Sequence, residues 1–514
     1  MRHLEHASTG RFRSETVPSF VISTLGATVV VGGFVVADDQ MRHWFVVPLW
    51  CCGVLIGSDA VDWLRGKLDL FDPVAIIGVL GVHFFFLAPL LHVTWDFWMA
   101  DVDPPPDWRD WLGKMALLNI TGLLLYRSAR HWMAGRGAHA EEYTLRHLDP
   151  GRLAWAAGVG LVISAVLQGA VYATYGGLSG YVDAYSDSRG LPEAQSAFAG
   201  MAWIFMVSES FPILAMLLFA VYAARTKKAR GWIVIATVLL AYLVLKMIFG
   251  GFRGSRSHTI WAVFWAAGII HLWVRPLSKR FVVVGACALV AFMYVYGFYK
   301  ELRGDFTAAY EQGAVVDDTV TTGRTFTDLL LGDLGRADVQ AFLLYRLSTG
   351  AGDYVYARGR TYVASLMLLM PRRIWPERPP TKVKEGTEAQ FGVGSYDEDE
   401  WSSSRVYGLA GETMLNFGPF VVPFAYLVFG LIVGRLRRFF WQARTGDARL
   451  LLYPLALIFC FSILHADSDN LVFMLVKDGI LPIAIVWWAS HVLTWSPVPS
   501  RPAIASGATK PGGL

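Results

Sequence analysis

The chain has 514 residues, 54% of them hydrophobic and 17% charged, with a mean hydropathy of +0.43 and a formal net charge of +4. A water-soluble domain carries about a quarter charged residues, so a soluble globular fold is excluded. The apolar residues collect in blocks of about twenty, the length a helix needs to cross a bilayer core, and the charge pattern points to no nucleic-acid partner.

Residues 1–19 form a basic N-terminal arm, and no short apolar run precedes a small-residue cleavage site, so no removable signal peptide is expected. Nine spans are predicted over residues 20–299: Phe20–Ala37, Trp44–Gly57, Val74–Val93, Trp111–Tyr126, Leu153–Tyr172, Phe198–Val221, Trp232–Phe249, Ser257–Val274 and Phe281–Tyr299. A long loop, residues 300–416, follows. Phe417–Leu436, Leu450–Leu464 and Leu471–Leu493 complete the spans over residues 417–493, and the Pro-, Gly- and Ser-rich residues 494–514 read as a disordered cytoplasmic tail. Cys51, Cys52, Cys287 and Cys460 all lie in apolar runs, where a free thiol packs as a small hydrophobe. The expected fold is an all-α polytopic membrane protein of about twelve spans with one large, mostly helical outer loop between spans nine and ten.

Lys and Arg concentrate in alternate loops: Arg65 and Lys67, then Arg127 to Arg152, "ARTKKAR", "RPLSKR" and "RLRRFFWQARTGDAR". The loops between them, "ADDQ", "WDFWMADVDPPPDW", "GYVDAYSDSRGLPEA" and "HADSDN", are acidic or neutral. Positive loops stay inside, so both termini are expected to be cytoplasmic.

"GFRGSRSH", residues 251–258, breaks that rule by placing Arg253 and Arg256 outside. Two readings stand side by side. Long basic side chains snorkel to phospholipid headgroups. Alternatively, Ser255 or Ser257 caps the inward-running helix, whose N-terminus together with two guanidiniums makes an anion site.

The long loop segregates its charges. Arg372, Arg373, Trp375, Arg378, Lys382 and Lys384 follow an apolar helical stretch, and "SYDEDEW" comes next. Glu412 and Asn416, four apart, share one face if their segment is helical. The plain alternative for Glu412 is a surface carboxylate near a helix start.

"TYVASLMLLMPRRIWPERPP" followed by "GLAGETMLNFGPF" resembles the Wzy-type O-antigen and capsule polymerases, which join oligosaccharide repeat units. The matching positions are Gly359, Pro371, Arg372, Trp375, Pro376 and Pro379, then Glu412, Asn416, Phe417 and Gly418; Gly251, Arg253, Gly254 and Arg256 look like an earlier element of the family. Arg378 stands where a Lys is common, and Pro419-Phe420 replaces a glycine often found there. The resemblance covers about residues 240–440.

The resemblance implies an enzyme of the bacterial cytoplasmic membrane, working on its outer face. Its substrates would be undecaprenyl-pyrophosphate-linked oligosaccharides among membrane lipids, with a flippase and a chain-length regulator as partners. It implies no cofactor and no metal. Arg253, Arg256, Arg372, Arg373, Arg378 and Arg405 would contact pyrophosphate or glycan. Glu412 or His258 would serve as base, Glu412 being favoured, with Asn416 positioning it.

Other readings compete. Asp38 and Asp39 in the first outer loop suit transferases that use polyprenyl-phosphate sugars, and an O-antigen-ligase-like enzyme shares the lipid-pyrophosphate chemistry. The Asp-x-Asp strings Asp101/Asp103 and Asp467/Asp469 face outward, away from nucleotide sugars, and are discounted. Glu209, Lys246, Lys477 and Asp478 sit in apolar runs as functional suspects. With Pro212 as a kink beside Glu209, they fit a glycan transporter as well as an enzyme.

Overall fold

The computed structural model of the chain describes residues 16–99, 102–135, 143–186, 202–252, 256–301, 327–350, 353–368, 370, 375, 379, 381–397 and 405–495. Of the described residues, 79% are helical. Among the described residues eight helices are long and apolar enough to cross a membrane: Val17–Ala37, Val46–Leu64, Pro73–Thr94, Pro150–Thr174, Trp203–Arg225, Trp232–Gly251, Pro419–Gln442 and Ser468–Trp488. The protein is therefore embedded in a membrane. The shorter apolar helices His258–Val274 and Tyr453–His465 fall on the expected eighth and eleventh spans. The fourth and ninth fall on the helices Trp108–Gly135 and Lys279–Glu301.

Several boundaries differ from expectation, and two of them for the same reason, a partner far away in the chain. The second apolar helix runs past Gly57 to Leu64. Its last turns carry Asp59, buried and paired with the Arg130 guanidinium at 2.6 Å and with Arg127 at 3.3 Å. The final helix stops at Trp488, and Ser490–Trp495 is a strand (β2) paired antiparallel with Tyr143–Leu148 (β1). This ribbon is the exception to an otherwise helical fold among the described residues.

In lipid, helices associate through close packing and polar contacts rather than by escape from water. The Trp108–Gly135 helix buries Leu112, Met115, Ala116, Asn119, Gly122, Leu123, Tyr126, Ala129 and Arg130, a stripe at alternating three- and four-residue steps. Its partner, Val422–Gln442, answers with Tyr426, Phe429, Gly430, Val433 and Gly434. The two glycines permit the approach: a Cβ on Gly430 would stand 2.5 Å from the Tyr126 carbonyl, and one on Gly434 2.6 Å from that of Arg130. The Tyr426 hydroxyl donates to Asn119 Oδ1 at 3.1 Å across the seam.

Among the described residues, beside two smaller clusters around Tyr453 and Tyr181, two large apolar cores result. One joins the first helices to Val422–Gln442 and to helices of the long loop, and the other joins residues 148–277 to the C-terminal helices. They meet along Tyr453–His465, which gives Cys460 and Leu464 to the first and Leu455 and Ile458 to the second.

The basic loops, alternate in sequence, gather at one end. Lys279 Nζ donates to the Leu64 carbonyl at 3.0 Å, and Arg275 donates to that of Arg230 at 3.2 Å. Arg437 pairs with Asp72 at 3.1 Å, and Arg449 bonds the Thr144 carbonyl of β1. The opposite end holds helices Ala337–Thr349, Arg360–Met367, Lys382–Phe391 and Gly408–Phe417 of the long loop.

Candidate functional site

The Gly408–Phe417 helix is fixed at both ends by chain from elsewhere. Its N-terminal amides, those of Tyr407 and Gly408, donate to Asp467 Oδ1 at 2.9 and 2.8 Å, which places a carboxylate where a helix carries partial positive charge. At its other end the Leu415 and Asn416 carbonyls accept from the Ala357 and Arg358 amides at 3.0 and 2.9 Å. Gly359 follows with φ +90°, a left-handed conformation suited to glycine, and its N–H donates to Asn416 Oδ1 at 2.8 Å.

Glu412 and Asn416 lie on one face of this helix and are buried, 3% and 0% exposed. Glu412 Oε1 accepts from Thr361 Oγ1 at 2.7 Å and from Ser468 Oγ at 2.5 Å, and Oε2 accepts from the Ser468 amide at 2.8 Å. Asn416 Nδ2 donates to Thr361 Oγ1 at 2.7 Å, so it orients the hydroxyl that orients the carboxylate. Ser365 Oγ shares a hydrogen bond with Ser468 Oγ at 2.7 Å. Burial, and then the charge of Asp467, pushes the Glu412 carboxyl up to about 7, against the hydrogen bonds from Ser468 and Thr361. Ser468 itself is half-buried, so its hydroxyl is the more accessible end of the chain of bonds.

Asp467 also binds the buried Lys382 ammonium. Burial works against that ammonium, yet Asp467 and then Asp469 outweigh it and hold its pKa above the ordinary lysine value. Lys382 donates as well to the Arg405 carbonyl at 3.4 Å, which ties Arg405 to the same unit by its backbone.

A second polar cluster lies among the membrane helices. Lys477 Nζ stands 2.8 Å from Glu209 Oε2 and 3.3 Å from His258 Nδ1, and Lys246 Nζ is 3.6 Å from Asp478 Oδ1. Two irregular helix segments frame it. Leu475–Gly479 is a π-helical turn, and Met247–Gly251 is broken at Phe249 and Gly250. Gly250 has φ +100°, and a Cβ there would fall 2.3 Å from Glu209 Cδ.

The sequence-derived candidates thus divide. Glu412, Asn416 and Gly359 form one hydrogen-bonded unit, whereas His258 belongs to the lysine cluster. Arg256 opens the Arg256–Ile269 helix; its side chain, together with Arg253, Arg372, Arg373 and Arg378, lies outside the described residues. One segment serves both clusters: Ser468 and Lys477 sit at opposite ends of a stretch that binds Glu412 first and Glu209 next. Thr361, Ser365 and Ser468 escaped the sequence reading, Lys382 was noted only as part of the basic stretch, and Asp467 was set aside with the Asp-x-Asp strings. The available signal was Asp467-Ser468 directly before an apolar helix, a pairing suited to a helix start. Glu209, Lys246, Lys477 and Asp478, singled out separately as charges in apolar runs, converge on one spot.

Comparison with family models, with curated proteins and with solved structures finds no match. Among the described residues, His43, Asp107 and Asp110 place one ligand atom each within 4.8 Å of one another. His43 Nδ1 accepts the Phe45 amide at 3.4 Å, so the neutral ring carries its proton on Nε2, the atom that faces the carboxylates. With that proton turned toward the two acids, each 3.5 Å away, the ring is a poor metal ligand. The Glu412 unit can take up a proton near neutral pH through a hydroxyl. The lysine cluster offers a buried ammonium that an anion could reach.

Proposed function

We propose that the protein is a membrane glycosyltransferase that polymerises lipid-linked oligosaccharide repeat units, moving a glycan chain from undecaprenyl pyrophosphate to a second lipid-linked unit. On this reading the chain has twelve spans with both termini cytoplasmic. The end opposite the basic loops then faces the periplasm or exterior of a bacterial cytoplasmic membrane. The observation that carries the reading is the union of Gly359 with the buried Glu412 and Asn416, more than fifty residues further on, in one hydrogen-bonded unit. That unit is joined through residues 468–478 to the head of the helix that follows "GFRGSRSH".

The chemistry follows from those groups. The acceptor sugar hydroxyl attacks the anomeric carbon, the bond from that carbon to the pyrophosphate breaks, and the electron pair leaves with the lipid pyrophosphate. The hydroxyl proton passes to Ser468 Oγ as Ser468 gives its own to Glu412, whose pKa near 7 suits a general base. Asn416, acting through Thr361, is a positioning residue. Arg253, Arg256, Arg372, Arg373, Arg378 and Arg405 supply donors that stabilise the leaving anion. A flippase would deliver the lipid-linked units, and a chain-length regulator would end the series.

The buried ions beside two broken helices favour a second reading, transport of a glycolipid. Purified protein in nanodiscs with a synthetic undecaprenyl-pyrophosphate repeat unit separates the two. Polymerisation predicts a ladder on a gel, lost in Glu412→Gln and Ser468→Ala proteins that still unfold cooperatively. A single-step product would indicate a ligase. Movement of labelled glycolipid across vesicles without any ladder would sink the polymerase reading, and a full ladder from Glu412→Gln would remove Glu412 as base.

A further inference from the structure

We infer that Lys246 and His258 form a pocket for one terminal oxygen of a phosphate group, and that the Asp478 carboxylate occupies this position as a stand-in when the pocket is empty. Lys246 is buried, 4% exposed, at the end of an apolar helix. Among the described residues its partner is Asp478 at 3.6 Å, beyond hydrogen-bond length. A buried ammonium held so loosely retains donors for another acceptor.

His258 supplies the second donor. Its Nδ1 faces the Lys477 ammonium, which can only donate, so Nδ1 accepts and the neutral ring carries its proton on Nε2. Lys477 is in turn anchored by Glu209, itself pinned by the close approach of Gly250. The Glu209–Lys477–His258 chain is therefore the fixed wall, while Asp478, with a side chain 22% exposed, is the member able to leave.

Lys246, His258 and Asp478 line a common cavity with Tyr242 and Trp261. It holds about one water, which is also the size of one phosphate oxygen. The remainder of the group would stay outside, near the first turn of the Arg256–Ile269 helix, whose free amides favour an anion. Two lysines and two carboxylates make the cluster neutral when empty. An arriving phosphate takes the place of one carboxylate at the lysine, so the buried Lys246 ammonium stays paired, while the more exposed Asp478 gives way.

The choice of a pyrophosphate as the anion rests on the polymerase reading, but the test does not need turnover. Binding is measured to full-length protein in nanodiscs of phosphatidylcholine, with undecaprenyl pyrophosphate incorporated or with inorganic pyrophosphate in solution. Lys246→Met should weaken binding about tenfold or more, and Asp478→Asn should tighten it by about tenfold, each at unchanged fold. Tightening is a result that damaged folding does not produce. Response to the lipid alone identifies a headgroup site, and equal response to inorganic pyrophosphate identifies a site for the free anion; both support the pocket. Wild-type affinity in both variants, or weaker binding in Asp478→Asn, overturns it. If the variants respond as expected but no ladder ever forms, the pocket stands and the polymerase reading falls.

Discussion

Replacing Glu412 by Gln removes one titration and leaves a side chain of nearly the same shape. The carboxyl sits at about 7 in the folded protein against an ordinary 4.5. The folded state therefore binds this proton more tightly than the unfolded chain does. The stability it contributes is full below pH 4.5 and is lost as pH rises through 7. At 1.36 kcal/mol per unit, the two ends of that window differ by about 3 kcal/mol. The amide is accommodated because the Thr361 and Ser468 hydroxyls can turn to accept, while its oxygen keeps the Ser468 amide. Thermal unfolding in detergent, followed by tryptophan fluorescence, should show the wild type losing a few degrees of Tm relative to Glu412→Gln between about pH 5 and pH 8. Taking the difference between the two proteins cancels every other titrating group. A constant offset across the window would refute the reasoning, since Glu412 would then not titrate there and could not serve as a base at neutral pH.

Other outcomes follow from particular contacts. Glu412→Ala leaves two hydroxyls and an amide without their acceptor and should cost about 3 kcal/mol or more, read as a lower Tm at every pH. Lys477→Met removes the ammonium 2.8 Å from buried Glu209 and should cost about 3–5 kcal/mol, with the double variant Lys477→Met/Glu209→Gln recovering much of the loss; a double variant no better than the single would refute the pairing. Gly430→Leu drives a side chain into the Tyr126 backbone and should reduce the folded yield in detergent by separating Trp108–Gly135 from Val422–Gln442, a cost of about 1–3 kcal/mol or more. Gly250→Ala meets both a left-handed backbone and the Glu209 carboxyl, and its Tm should fall further than that of Gly285→Ala, where a Cβ meets nothing within 4 Å.

Local pattern carried much of the fold into view. Apolar runs marked the helices, and the alternation of basic loops anticipated their collection at one end. Where the reading fell short, the missing term was long-range. The expected second span ends at Gly57, yet the helix runs on through Asp59, which Arg130, 71 positions away, neutralises inside the bundle. Val492 and Leu493 looked like more apolar helix, yet hydrogen bonds to a segment near residue 145 turn them into strand. The site shows the same division. The four-residue spacing of Glu412 and Asn416 was visible, whereas Thr361 and Ser468 reach Glu412 from 51 and 56 positions away. Charges in apolar runs could be flagged one by one as costly. Which ammonium would meet which carboxylate depended on how four helices cross.

The π-helical turn at Leu475–Gly479 gives the last membrane helix a property that its length alone would not. A π turn holds one residue more than an α turn, and each residue of an α-helix advances the side chain by about 100°. Ser468 is locked to Glu412 on one side of this turn, and Trp488 leads into the paired strand on the other. With both ends clocked in this way, the azimuth of Lys477 depends on that one surplus residue. Deleting a residue at Leu475 would relax the turn to regular α-helix and rotate the ammonium by about a quarter of a revolution, away from Glu209 and His258, with the overall hydrophobic length almost unchanged. Single-residue insertions and deletions in this stretch should therefore be far less tolerated than substitutions, and the intolerance should be relieved by a compensating change of one residue within the same turn.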